Sequence, residues 1–399
     1  MKKLLVSLAL VLLCPVLSPG WGFFGHRTIH QVAIYELPSS MQPFYFRHMA
    51  QIVRLSTAPD ERRNDDPTEA NKHFIDMDHY GDNPFGMMPK LYEKAAAKYT
   101  ADTLKKYGTV PWVILDVKDK LTQAFKEGDT TAIVALSADL GHYVSDAFVP
   151  LHTTENYDGQ LTKQNGLHSL WESKLVERHI GEYKLDGEKA EYIKDPLTSV
   201  WATLQSSYGF LGATFDYEVA VGKKFTPEKK YTYSHKYGNT RRSYSDAFAD
   251  EYHKKVGGMV AYQMKLATTM VASMWYTAWK DAGSPDLNKM MRPGKLAKEE
   301  KDLLETQLAA WKKNELFDQN LLLAAQKQAA VAKPDEVGSA DGAAPPPPAE
   351  ATAAPAAPAA PAQQPDKVKT KEKKDDGEKQ KSKTKAKKEK DPNNPFGDQ

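Results

Sequence analysis

Two helix-periodic stretches put imidazole and carboxylate side chains one turn apart. "GHYVSDAFVPLH" carries His142 and Asp146 at i, i+4 and brings His152 in just beyond Pro150; "GLHSLWES" repeats the spacing with His168 and Glu172. One such pair is ordinary helix support, worth about 0.2–0.5 kcal/mol. Here the pairs come with more of the same chemistry: Asp60 in "STAPDERR", His73 in "NKHFIDMDHY" and His26 in "WGFFGH". The sole cysteine, Cys14, precedes all of them. Imidazole and carboxylate are what zinc takes when thiolates are absent, so the joint pattern reads as a metal centre. Asp139 falls at i−3 from His142 on the same stripe. It is expected either to orient a ligand histidine by a hydrogen bond or to face solvent.

The elements that must position these side chains are helices. Apolar periodicity recurs after Trp21, over 111–125 with a proline at the start, over 131–148, and over 256–279 with Gly283 as a stop. "LAKEEKDLLETQLAAWKKN" and "QNLLLAAQKQAAVAK" add two amphipathic helices. Alternating strand-like runs are scarce, apart from a hairpin around "KKYTYSHKYGN". The expected fold class is all-α, a single multi-helix domain over residues 21–332. His30, His48, His179, His235 and His253 have no motif partner and read as ordinary.

Residues 1–20, "MKKLLVSLALVLLCPVLSPG", have the pattern of a secretory signal: two lysines, an apolar run, and small residues at the end. Cleavage before Trp21 would leave a secreted or periplasmic protein without cysteine, which excludes disulfides, cysteine zinc knuckles and a thiol nucleophile. No other run approaches membrane-spanning length. Residues 333–365 are a Pro/Ala-rich linker, and 366–399 a charged tail with 12 lysines against 8 acidic residues. The tail is read as solvating, with contact to anionic surfaces as its one binding role. Between Trp21 and Pro365 stand 40 basic and 44 acidic residues, which argues against reliance on a strong phosphate-attracting field. No Gly-x-Ser-x-Gly elbow, P-loop or dinucleotide fingerprint is present.

Taken in order, "WGFFGH", "HFID", "GHYVSDAFVPLH" and "LHSLWES" resemble the signature of the phospholipase C / S1-P1 nuclease superfamily of trinuclear zinc phosphodiesterases. The resemblance implies an all-α fold and three Zn2+ ions. It implies that Asp60, His73, His142 and Asp146 hold one zinc, and that His152, His168 and Glu172 hold a second. The third would be held by the α-amino nitrogen and carbonyl oxygen of Trp21, with His26 and the other oxygen of Asp146. Leader cleavage then acquires a chemical role, because an α-amine of pKa about 8 can bind zinc where a peptide nitrogen cannot. Asp60 would also handle the proton of the attacking water.

The implied activity is hydrolysis of a phosphodiester P–O bond by metal-activated water. The His26 spacing is similar to the nuclease branch. Glu172 as the acid of the second zinc, with the short interval from His152 to His168, is similar to the phospholipase C branch. The favoured expectation is a phospholipase C-like enzyme on phospholipids; the alternative is a nuclease on single-stranded DNA or RNA. Tyr, Lys and Arg mixed in "YTYSHKYGNTRRSYSD" could stack bases, though a solvated hairpin is the commoner use of such a stretch. A non-catalytic, zinc-stabilised surface protein is a further alternative, against which the carboxylate-rich ligand set argues.

Overall fold

A computed structural model of the protein describes residues 21–236, 239–291 and 294–331. The leader, the linker and the Lys-rich tail read from the sequence lie outside the described residues. The fold is all-α, and among the described residues the only strands are one antiparallel hairpin, Tyr231–Lys236 with Asn239–Tyr244, in which Tyr231 faces Tyr244. No helix among them is long and apolar enough to cross a membrane.

Helix α1 (Phe23–Glu36) is buried all round except at Phe23 and Arg27, as a helix without a polar face must be. Helix α2 (Val110–Glu127) starts with Pro111 in its first turn, where no amide hydrogen is needed, and stops at Gly128 in the left-handed conformation (φ 69°). Helix α3 (Thr130–Asp146) follows at once, capped by the Asp129 carboxylate accepting from the Ala132 N–H. It ends because Val149, extended before Pro150, cannot continue a helix; a 3-10 turn, Pro150–Thr153, then carries His152. Helix α4 (Asp246–Asp281) is 36 residues long and begins at the Ser245 cap, ten residues before the apolar periodicity suggests. Helices Pro196–Gly209 and Leu211–Gly222 complete this region. The second buries Thr214 and Glu218 beside Val221, so it shows no apolar stripe in the sequence.

Helices α1, α3 and α4 pack together around Trp275, whose indole N–H donates to the Ser137 carbonyl at 2.9 Å and whose ring stacks on Tyr45 at 5.0 Å. Gly141 sets the closeness of α1 to α3. A Cβ there would stand 2.3 Å from His30 Nε2, so a larger residue would force apart the two helices that carry His26 and His142. His30 fills the contact as a neutral core residue, its pKa pushed down to about 4 by burial and then by His26.

Candidate metal centre

The C-terminal turns of α3 aim His142 and Asp146 at one buried point. His142 Nδ1 lies 2.8 Å from the Ser56 carbonyl, so that nitrogen carries the hydrogen and Nε2 faces inward bare. His73, at the end of the 3-10 turn Ala70–Lys72, brings its Nδ1 to 3.0 Å from both His142 Nε2 and Asp146 Oδ2. Asp60, in the short helix Ala58–Arg62, stands 3.7 Å from His73 Nδ1 and 3.8 Å from His142 Nε2. All four residues predicted for one ion therefore converge.

His26 meets the other oxygen of Asp146, with Nε2 at 3.4 Å from Oδ1, and its ring stacks on His142 at 4.0 Å. The Ser145 hydroxyl donates to the His142 carbonyl, so its oxygen is free to accept from His26 Nδ1 at 2.9 Å and fixes Nε2 as the bare nitrogen. Trp21 is fully buried. Its indole donates to the Ser145 carbonyl at 2.7 Å, and its ring packs on Trp171 at 5.1 Å.

The second group is built on the turn after Pro150 and on an irregular helix. His152 Nδ1 lies 2.6 Å from the His73 carbonyl, which joins the two groups through the backbone and leaves Nε2 inward. That Nε2 is 3.1 Å from His168 Nε2, and Glu172 Oε2 is 2.7 Å from the same His168 atom. Glu172 sits in a π turn, Leu170–Lys174, a distortion that proteins concentrate at functional sites.

The donor set fits cations. His26 Nε2, Asp60 Oδ2, Asp146 Oδ1 and both oxygens of Glu172 are buried without a hydrogen-bond partner. Left to themselves these groups oppose one another: burial pushes Glu172 well up and Asp60 up, while burial and His26 hold His142 well down. Asp146 goes the other way; burial would raise it, but His142, His152 and the hydrogen bond from His73 hold it well below the carboxylate range. A cation keeps the carboxylates ionised and the imidazoles neutral at once, which is the condition for N/O ligation.

Of the two placements expected for Asp139, it takes the partly exposed one and orients no ligand histidine. Its two oxygens accept from the two terminal nitrogens of the Arg62 guanidinium, at 3.1 and 3.0 Å. The orienting acceptor for His142 is the Ser56 carbonyl, which a side-chain pattern cannot reveal. A carboxylate does stand behind His73: Glu69, buried, has Oε1 3.7 Å from His73 Nε2 and also receives Tyr143 Oη–H and Lys72. Its i, i+4 spacing to His73 was the available signal. Of the neighbours that crowd His73, Asp78 accepts from the Thr154 hydroxyl at 2.6 Å and His79 stacks on Tyr107 at 3.6 Å, so neither joins the cluster.

Arg63, also unmarked by the sequence pattern, holds Asp60 Oδ1 at 3.1 Å and faces a cavity of about 250 Å³. His152, His168, Phe74, Tyr157 and Asp76 line the same cavity. Burial, then Asp78 and Glu155, push the Asp76 carboxyl up to about 7.

An all-helical body that brings eight buried histidine and carboxylate residues into three neighbouring groups, each able to hold a metal ion, has the architecture of a metal-dependent hydrolase. The sequence model of the S1/P1 nuclease family matches residues 21–278, and the chain belongs to that family. Membership puts it among zinc-dependent hydrolases of the phosphodiesterase type. No curated protein sequence matches the chain. Among solved structures it is similar to the alpha-toxin of Clostridium perfringens, avian strain SWCP, with 16% identity and a TM-score of 0.40. That match covers 68% of this chain and 66% of the toxin chain.

Proposed function

We propose that this protein cleaves phosphodiester bonds of single-stranded nucleic acid. The observation that carries the substrate is the cavity in which Arg63 stands beside His152 and His168, with Phe74 and Tyr157 on its walls. Guanidinium pairs with phosphate oxygens, and aromatic faces stack any base. The family match over residues 21–278 supports the same substrate class.

In this reading Asp60, His73, His142 and Asp146 hold one zinc, and His152, His168 and Glu172 a second. The α-amine and carbonyl of Trp21, with His26 and Asp146, hold a third. Bound zinc would lower the pKa of a water toward about 7 and offset the charge of the reacting phosphate. Asp60 receives the proton of the attacking water: one of its oxygens is held by Arg63, and the other is buried without a partner. Arg63 orients the phosphate, while Ser56, Ser145 and the His73 carbonyl fix the imidazoles. Residues 21–332 form the catalytic domain, released by leader cleavage before Trp21, with 333–365 as linker and 366–399 as tail.

Phospholipid is the second reading. Glu172 and the short His152–His168 interval favour it, as does Leu161, 65% exposed on the loop that carries Tyr157 and Gln160. The zinc-loaded protein should be assayed side by side on single-stranded DNA, RNA and phosphatidylcholine micelles. Turnover of nucleic acid is expected; turnover of the lipid alone would overturn the proposal in favour of the second reading.

A further inference from the structure

We propose that His179, Glu182 and His253 form an additional zinc-binding site, separate from the buried centre. His179 ends the helix Leu175–His179, Glu182 ends the 3-10 turn Ile180–Glu182, and His253 comes from α4, so no local sequence pattern unites them. Each offers a ligand atom, and these atoms all lie within 4.8 Å of one another.

The hydrogen bonding of the trio is incomplete. His179 Nδ1 lies 2.7 Å from Glu182 Oε1, and the two imidazoles stack face to face at 3.6 Å, 5° from parallel, so one ring must turn out of the stack for both in-plane lone pairs to meet one ion. His253 Nδ1 stands 3.9 Å from Glu182 Oε2, too far for a hydrogen bond. Two ligand bonds of about 2.1 Å, meeting at an open angle on one ion, span such a gap. The other nitrogen of His253, Nε2, is buried with no partner. It lies over Gly257, where a Cβ would stand 2.4 Å away. The ring thus has no acceptor on its inner side and a carboxylate beyond hydrogen-bonding reach on its outer side. His179 Nε2 stands 3.2 Å from Asp250 Oδ1 without hydrogen-bond geometry, and Asp250 itself is held by Arg178.

Two imidazoles and one carboxylate suit zinc rather than calcium or magnesium, which take oxygen ligands. The histidine side chains are 12% exposed and that of Glu182 63%, so an ion can enter from solvent and keep water as its remaining ligand.

Zinc alone is the probe. The purified full chain is equilibrated with buffered free Zn2+ over a graded range, and bound zinc is counted per chain beside phosphodiesterase activity. The wild type is expected to take up one further, weaker equivalent after the buried centre is filled. H253A loses that equivalent and keeps its activity. E182Q, which alters an exposed side chain and so leaves the fold intact, weakens it. Losing an outer partner of a metal ligand costs about 10–100-fold in affinity, so losing a direct ligand should raise the apparent Kd of this site at least about ten-fold. Superimposable zinc isotherms for wild type, H253A and E182Q would overturn the proposal and leave a metal-free stacked histidine pair.

Discussion

His152 and His168 aim their Nε2 atoms at each other across 3.1 Å, and each residue is less than 5% exposed. His152 carries its hydrogen on Nδ1, against the His73 carbonyl, so its Nε2 can only accept. Glu172 Oε2 competes for whatever His168 Nε2 can offer, at 2.7 Å. A cation answers this crowding of acceptors and a single proton does not, so stripping zinc should cost stability. Saturation at about 100 times Kd stabilises by about 2.7 kcal/mol per ion, and 1 kcal/mol moves the melting temperature of a large domain by about 2–4 °C. Chelation at neutral pH is expected to lower Tm by roughly 5–10 °C, with recovery on adding zinc back. A differential scanning trace unchanged by the chelator would show that no ion braces these residues.

Asp146 serves two partners with separate oxygens: Oδ2 faces His73 Nδ1 at 3.0 Å, and Oδ1 faces His26 Nε2 at 3.4 Å. In Asp146→Asn one of these oxygens becomes an N–H group and the negative charge is lost. Both adjacent ion sites should weaken together. Zinc per chain is expected to fall and phosphodiester turnover to drop at least about 100-fold, more than is lost with an outer partner of a metal ligand. Metal analysis run with the rate assay decides it, since full zinc content in the variant would remove Asp146 from the ligand set.

Trp21 is pinned by its indole bond to the Ser145 carbonyl, and the next residue leaves no slack: a Cβ at Gly22 would stand 2.1 Å from Ser173 Oγ. In the proposed mature chain, which would begin at Trp21, one extra residue before it therefore changes the chemistry of its nitrogen more than its position. The α-amine, of pKa about 8, becomes a peptide nitrogen that does not bind zinc at neutral pH. Such a protein should fold, retain the zinc of His152, His168 and Glu172, bind one ion fewer and turn over slowly. Equal zinc content and equal rate with the extra residue present would remove the α-amine from the centre.

The sequence showed those parts of this site that repeat along one helix. His142 with Asp146 and His168 with Glu172 are legible because i, i+4 spacing fixes a shared face, and α2 and α3 are legible because apolar periodicity runs through them and Pro111 and Pro150 punctuate them. What depends on tertiary approach was hidden. Asp139 finds Arg62 across 77 positions, so a stripe next to His142 did not mean a bond to it. The Ser56 and His73 carbonyls that set the imidazole tautomers carry no side-chain signature. The π turn under Glu172 follows from packing, and His179 meets His253 only because α4 runs past the end of another helix.

Glu36, at the far end of α1 from His26, is 1% exposed and gives the molecule a pH dependence of its own. Its Oε1 accepts the Thr268 hydroxyl at 2.9 Å, its Oε2 has no partner, and Gly187 closes over it so tightly that a Cβ there would stand 1.7 Å from Oε1. Burial pushes its pKa from 4.5 up to about 8, against the smaller opposing effects of Thr268, Thr269 and Lys265. Below pH 4.5 the carboxyl is protonated in both folded and unfolded chains and costs nothing. As pH rises from there the unfolded chain releases the proton while the folded one retains it, so stability falls until the folded pKa near 8 is passed. Each unit of difference is worth about 1.4 kcal/mol, so the decline attributable to Glu36 is of the order of a few kcal/mol. Glu36→Gln removes the ionisation and keeps the shape. Its unfolding free energy from urea titrations should lose less than that of the wild type between pH 5 and 8 and exceed it at pH 8. Parallel pH profiles for the two proteins would mean that Glu36 is charged in the fold, with a counter-ion holding it there.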